Sequence, residues 1–137
     1  MTNKLSLDFW WNVPRFKRKI LQNIIIDRKS KYSVVSWFVN SKEEVEVFMK
    51  EILSDSYFKN ATHNTFAYRI KLENWSILEG KNDDWETWAW MCVLREIQRA
   101  DYINIIIIVT RYFGWIYLQT DRFKNVIDAT KIILKEI

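Results

Sequence analysis

Ile105-Ile106-Ile107-Ile108-Val109 is the stretch that most restricts what this chain can fold into. Consecutive β-branched residues disfavour helix, and the run has no polar side to give to water. It lies in a segment from Ile103 to Val109 that predicts a strand buried on both faces or placed centrally in a sheet. The run is far too short for a bilayer, which takes about 20 apolar residues.

Such a strand needs neighbours beside it and helices above it, and the rest of the chain supplies both. Ile20 to Ile26 is isoleucine-rich and Lys31 to Val39 alternates weakly through Tyr32, Val34, Val35 and Phe38, so both read as strands. Asp27-Arg28-Lys29-Ser30 is the turn between them. Ser41, followed three residues later by Glu44, is a capping box opening a helix on which Val45, Phe48, Met49 and Ile52 keep helical spacing. Phe66 to Leu72 predicts a third strand, and Glu73 to Lys81 reads as a loop. A helix is expected from an N-cap at Asp84 to about Ala100. Asp121 is the expected cap of a last helix, with Phe123, Val126, Ile127, Thr130, Ile133 and Leu134 on its apolar stripe. The order β-β-α-β-α-β-α predicts an α+β two-layer sandwich, a four-stranded sheet with helices on one face. Residues 1–18 lack periodicity, contain Pro14 and read as a weakly ordered N-terminal arm. Residues 19–137 read as a single domain.

Composition excludes several functions. At 49% hydrophobic and 28% charged the chain is globular in type. Its first residues carry no apolar core of a signal peptide. The single Cys92 rules out an internal disulfide and fits the reducing cytoplasm, and one cysteine with one histidine argues against structural zinc. Neither a cofactor nor a metal nor a membrane partner is expected. The net charge of +4 gathers in Arg15, Lys17, Arg18 and Lys19 and in Arg28, Lys29 and Lys31, a patch suited to RNA or an acidic protein surface.

Asp27-Arg28-Lys29-Ser30, Ala61-Thr62-His63-Asn64-Thr65-Phe66-Ala67-Tyr68-Arg69-Ile70, Asn82-Asp83-Asp84-Trp85-Glu86-Thr87-Trp88-Ala89-Trp90, Val109-Thr110-Arg111-Tyr112-Phe113-Gly114-Trp115 and Leu118-Gln119-Thr120-Asp121-Arg122-Phe123-Lys124 occur in that order. Together they resemble the segments of the IMPACT/YigZ family, in wording closer to its eukaryotic IMPACT branch. The resemblance implies a fold like the second domain of certain small-subunit ribosomal proteins. It also implies a non-catalytic role in translation control, exercised through a protein or ribosome-associated partner. Eukaryotic IMPACT carries an additional N-terminal module.

Carried onto this sequence, the resemblance points to His63, Asn64, Arg69, Asp83, Asp84, Glu86, Thr87, Arg111, Asp121, Arg122 and Lys124 as a polar binding surface. Most of these stand at strand ends or helix starts, where a rigid scaffold displays functional groups. Helix capping accounts equally well for Asp84, Glu86 and Asp121. Two alternatives remain: a nucleic-acid module using the seven basic residues above, and a hydrolase using Asp83, Asp84 and His63 as acid, base or divalent-ion ligands.

Eight tryptophans against two glycines is an inverted usage. Average glycine content of about 7% predicts about ten in a chain of this size. In the resembling segments Trp85, Trp90 and Trp115 stand where the family has glycine, and Trp88 where it has a small residue. Trp75, Trp10 and Trp11 lie in turn-like sequence. Positions 85, 88 and 90 share no helical face, so an aromatic stripe does not explain them. The reading favoured is UGA codons written as tryptophan in an organism that reads them as glycine; the alternative is a genuine aromatic, base-stacking surface.

Overall fold

A computed structural model describes residues 11–82 and 89–137. Its sheet has five strands: β1 (Arg18–Asp27), β2 (Ser30–Phe38), β3 (His63–Lys71), β4 (Ile77–Asn82) and β5 (Ile105–Tyr112). The helices are α1 (Lys42–Ser54), the short α2 (Ser56–Lys59), α3 (Ala89–Arg99) and α4 (Asp121–Leu134). The spatial order is β1-β2-β5-β3-β4, with every pairing antiparallel. The isoleucine run is thus the middle strand, as its composition requires.

Both faces of β5 are covered. Ile105, Ile107 and Val109 point into a core with Tyr32, Val34, Val93, Ile97, Val126 and Ile133, under α3 and α4. Ile106 and Ile108 point the other way, into a second core of Val35, Trp37, Val45, Phe48, Ile52 and Phe58, under α1 and α2. All five side chains from Ile105 to Val109 are buried, and each contributes about 1.5–3 kcal/mol of transfer free energy. The architecture is the expected α+β sheet packed against helices, but the helices cover both faces where one was predicted, because Val45, Phe48 and Ile52 of α1 pack on Ile106 and Ile108 while α3 and α4 pack on Ile105, Ile107 and Val109.

Two local expectations change. The segment expected as a loop after β3 contains a fifth strand, β4, paired through Tyr68↔Gly80 and Ile70↔Leu78. Glu79, Gly80 and Lys81 interrupt its hydrophobic pattern, which hides it from a period-2 reading. Asp121 is not an N-cap. It is the first residue of α4, and the flanking Thr120 makes no side-chain cap; the carboxylate is used elsewhere, as shown below. At α1 the expected cap is present: Ser41 Oγ accepts from the Glu44 amide at 3.2 Å, and Glu44 accepts from the Asn40 amide at 2.7 Å.

The outer strand β1 is broken by a bulge at Asn23, whose φ is 51° and whose amide donates to Ser33 Oγ. A bulge of this kind keeps an exposed edge from templating further strands. Just before it, Asn12 lies beside Tyr102, accepting from the Ile103 amide at 2.9 Å and donating from its side chain to Ala100 O at 2.7 Å. Among the described residues no helix is long and apolar enough to cross a membrane.

Candidate functional site

Four of the five segments singled out in the sequence meet at one corner, where β5 leaves the sheet. The β1–β2 turn begins it. Arg28 and Lys29 have φ of 46° and 73°, the pattern of a two-residue type I′ hairpin turn, which follows the right-handed twist of the strands. The turn lifts Arg28 to a point where it clamps two carboxylates. Its Nε and Nη2 donate to Asp27 at 2.9 and 3.0 Å, and Nη2 also donates to Asp121 Oδ2 at 2.6 Å. Asn125, one helical turn into α4, donates to the second Asp27 oxygen at 2.9 Å. The donors from Arg28 and then Asn125 hold the Asp27 carboxyl at about 2, below its ordinary 3.8. The same partners, Asp27 first and Asp121 second, raise the Arg28 guanidinium above its ordinary value.

The other side of the turn touches β5's exit. Ser30 is fully buried, and its hydroxyl accepts from the Gly114 amide at 3.1 Å. A Cβ at residue 114 would land on the Lys29 carbonyl and the Ser30 amide, so only glycine allows this approach. Thr62, just before β3, ties in the next segment: its amide donates to Arg111 O at 2.9 Å and its hydroxyl accepts from the Phe113 amide at 2.9 Å. His63 follows, opposite Arg111 in the β3–β5 register, and Tyr32 stands opposite Arg111 on the other side. The Arg111 guanidinium is buried beside the Tyr32 and Phe113 rings, at 5.9 and 5.4 Å. Beyond it, the Phe113 ring lies 5.5 Å from Trp115 and 5.6 Å from Tyr117, and Tyr117 is 82% exposed. Tyr112 turns back, donating its hydroxyl to Tyr57 O. Burial, with Tyr57 and Asp55 nearby, raises its pKa.

The corner therefore brings together Arg28, Lys29, His63, Arg111 and Asp121 from the sequence reading. Arg122 and Lys124 are on the same helix start. Arg122 lies 4.6 Å over the Phe123 ring, and Lys124 pairs with Asp128 at 2.9 Å, which raises its pKa. Two residues are structural in placement. Asn64 is buried, donating to Phe58 O and accepting from Thr110 at 2.8 Å each. Arg69 is at the opposite end of β3, bonded to Glu79 at 3.0 Å and Tyr102 O at 3.2 Å. Asp83, Asp84, Glu86 and Thr87, with Trp85 and Trp88, lie outside the described residues. So do the two carboxylates that a hydrolase built around His63 would require.

The seven basic residues do not make one patch. Arg15, Lys17, Arg18 and Lys19 stand at the start of β1 and Arg28, Lys29 and Lys31 beyond its end. The ten-residue strand between them spans roughly 30 Å. The sequence reading passed over Asp27, Ser30, Thr62, Asn125, Phe113 and Tyr117. Of these, Asp27, Ser30, Thr62 and Phe113 sit inside the quoted segments, so their signal was adjacency to named residues. Asn125 had none, because its partner is 98 positions away.

Comparison with known proteins gives a consistent picture. The profile of the Impact N-terminal domain family matches residues 28–134. The Protein IMPACT homolog of Dictyostelium discoideum is 36% identical over 110 residues, covering 80% of this chain and 32% of that protein. Protein IMPACT-B of Xenopus tropicalis is 33% identical over 111 residues, covering 80% and 35%. The chain thus spans about a third of the length of these relatives. The solved structure of the two-domain translational regulator Yih1 superposes with a TM-score of 0.60 at 28% identity, covering 87% of this chain and 46% of that one. The crystal structure of a hypothetical protein shares the fold, with a TM-score of 0.73 at 19% identity over 88% and 61% of the two chains.

Proposed function

The chain belongs to the Impact N-terminal domain family, and from that premise we propose that it is a non-catalytic binding domain that acts in the cytoplasm in translation regulation. The proposed partner is a protein, free or ribosome-associated. The observation that carries this reading is the Arg28 clamp on Asp27 and Asp121, which fixes the β1–β2 turn against α4 and beside the half-buried Phe113 and exposed Tyr117 rings. Rigid aromatic side chains framed by charge are what protein interfaces use as anchors. The similarity to a translational regulator supports the same direction.

The test is a pull-down from native lysate, with and without RNase, paired with sedimentation of the chain with ribosomes. A partner that survives RNase and is lost with Tyr117→Ala or Arg28→Glu is the expected result. Loss of every partner on RNase treatment of the unmodified chain sinks the protein-partner reading.

One observation favours a second reading, RNA binding at the other end of β1. The exposed Phe16 ring has Arg15 and Lys19 at 5.4 and 6.0 Å, and Arg18 lies over Trp37 at 5.6 Å. That is a stacking platform edged by cations. RNA affinity there should fall steeply with salt as phosphate contacts release counterions. Absence of binding at low salt removes this reading.

A further inference from the structure

We propose that the natural protein carries glycine at positions 75 and 115, the tryptophans there being UGA codons that its source reads as glycine. The backbone asks for glycine at both. Residue 75 closes the β3–β4 hairpin: its amide donates to Leu72 O at 3.0 Å, and Leu72 donates to Ser76 O at 2.9 Å. Its φ is 72°. The left-handed residue that ends such a hairpin loop is the position glycine fills by default, because a Cβ there meets the neighbouring carbonyl. Residue 115 follows Gly114 with φ 67°. Among the described residues with positive φ, Asn23, Asp101 and Asn104 are types that tolerate it, Arg28 and Lys29 form the two-residue hairpin turn that requires it, and of Gln119, Trp75 and Trp115 the two tryptophans are the bulky outliers.

Neither indole is buried by the fold. Trp115 is 86% exposed and Trp75 54%. Trp37 shows the contrast. It is 8% exposed, stands in β2, and packs edge-on against Phe48 with ring centres 4.7 Å apart. Of the five tryptophans among the described residues, Trp37 fills the core and Trp75 and Trp115 stand on backbone that fits glycine, while Trp11 and the helical Trp90 are half-buried and have no positive φ. Neither of the chain's two written glycines has positive φ. A single cause, one codon read two ways, accounts for the missing glycines, the surplus tryptophans and the two left-handed sites.

The inference changes the corner described above. With glycine at 115, β5 exits through Gly114 and a second glycine, and the Phe113 ring loses the indole 5.5 Å away. This consequence rests on the binding reading; the residue identities do not.

Peptide mass spectrometry of the protein from its native source is the test. Tryptic cleavage separates the three positions into the peptides 32–42, 72–81 and 112–122. The expected result is tryptophan in the first and glycine in the other two; tryptophan at 75 or 115 overturns the proposal there. In the recombinant tryptophan form, Trp115→Gly should raise the melting midpoint by about 3–6 °C. Trp75→Gly should raise it less, because the Lys71 ammonium sits 4.4 Å from that ring and is released. A fall in the midpoint with Trp115→Gly contradicts the backbone argument. The pull-down above has no bearing on either readout, so failure of the binding reading and failure of this one are distinguishable.

Discussion

The middle of β5 and its exit, a few residues further on, are held by opposite kinds of interaction. From Ile105 to Val109 every side chain is buried among apolar neighbours on one face or the other. From Arg111 to Gly114 the chain is held by hydroxyls and amides, beside an exposed ion-pair cluster that joins the β1–β2 turn to α4. Burial of apolar surface is worth kilocalories per residue, while exposed ion pairs are worth about 0–1 kcal/mol. On the proposed binding reading, stability falls to the middle of β5 and recognition to the segment that leaves it. The corner can vary chemically without unfolding the sheet, provided its close contacts are respected.

The strongest test of that division is Ile107→Ala. It leaves a cavity between β5 and the α3–α4 layer and should cost about 2–5 kcal/mol, read as a lower urea midpoint with an unchanged slope. A loss under about 1 kcal/mol would mean that the centre of the sheet is not where stability lies. Next in size is Gly114→Ala. The added methyl meets the Lys29–Ser30 backbone rather than a movable side chain. A loss of about 1–3 kcal/mol is expected, in the range of overpacking, and this is the corner's one steric requirement. Arg28→Ala should cost less stability than Gly114→Ala, since solvent-screened ion pairs contribute little, yet abolish RNase-resistant partner capture. If stability and capture fell together, the corner would be structural and the comparison would fail.

How much of this was legible follows from the same contrast. β5 was read from its isoleucines alone, because burial on both faces leaves a composition signal needing no partner. β4 was missed because Glu79, Gly80 and Lys81 look like loop. What makes that segment a strand is its pairing with β3, where the Tyr68 ring lies over Gly80. Asp121 reads as a cap because local sequence offers capping first. The arginine that claims it is 93 positions away. Long-range polar pairing has no periodicity, so the corner was visible only as separate segments whose residues pointed to a known family.

The smallest effect is the pH dependence of the clamp. Asp27 has its folded pKa lowered from 3.8 to about 2, by Arg28 first and Asn125 second. A depressed carboxylate contributes stability that is complete above its unfolded pKa and is lost as pH falls through the folded one. The difference in stability between the unmodified chain and Asp27→Asn should therefore be constant from neutral pH down to about 4 and close between about 3.8 and 2. The group is partly open to solvent, so added salt should shrink the difference across the whole range. Equilibrium urea unfolding at stepped pH reads it directly. A difference that persists at pH 2 would mean that the Asp27 side chain acts through shape, as a hydrogen-bonding partner of Asn125, and not through its charge. The Arg28 clamp would then be an incidental surface pair, and the electrostatic half of the comparison along β5 would lose its anchor.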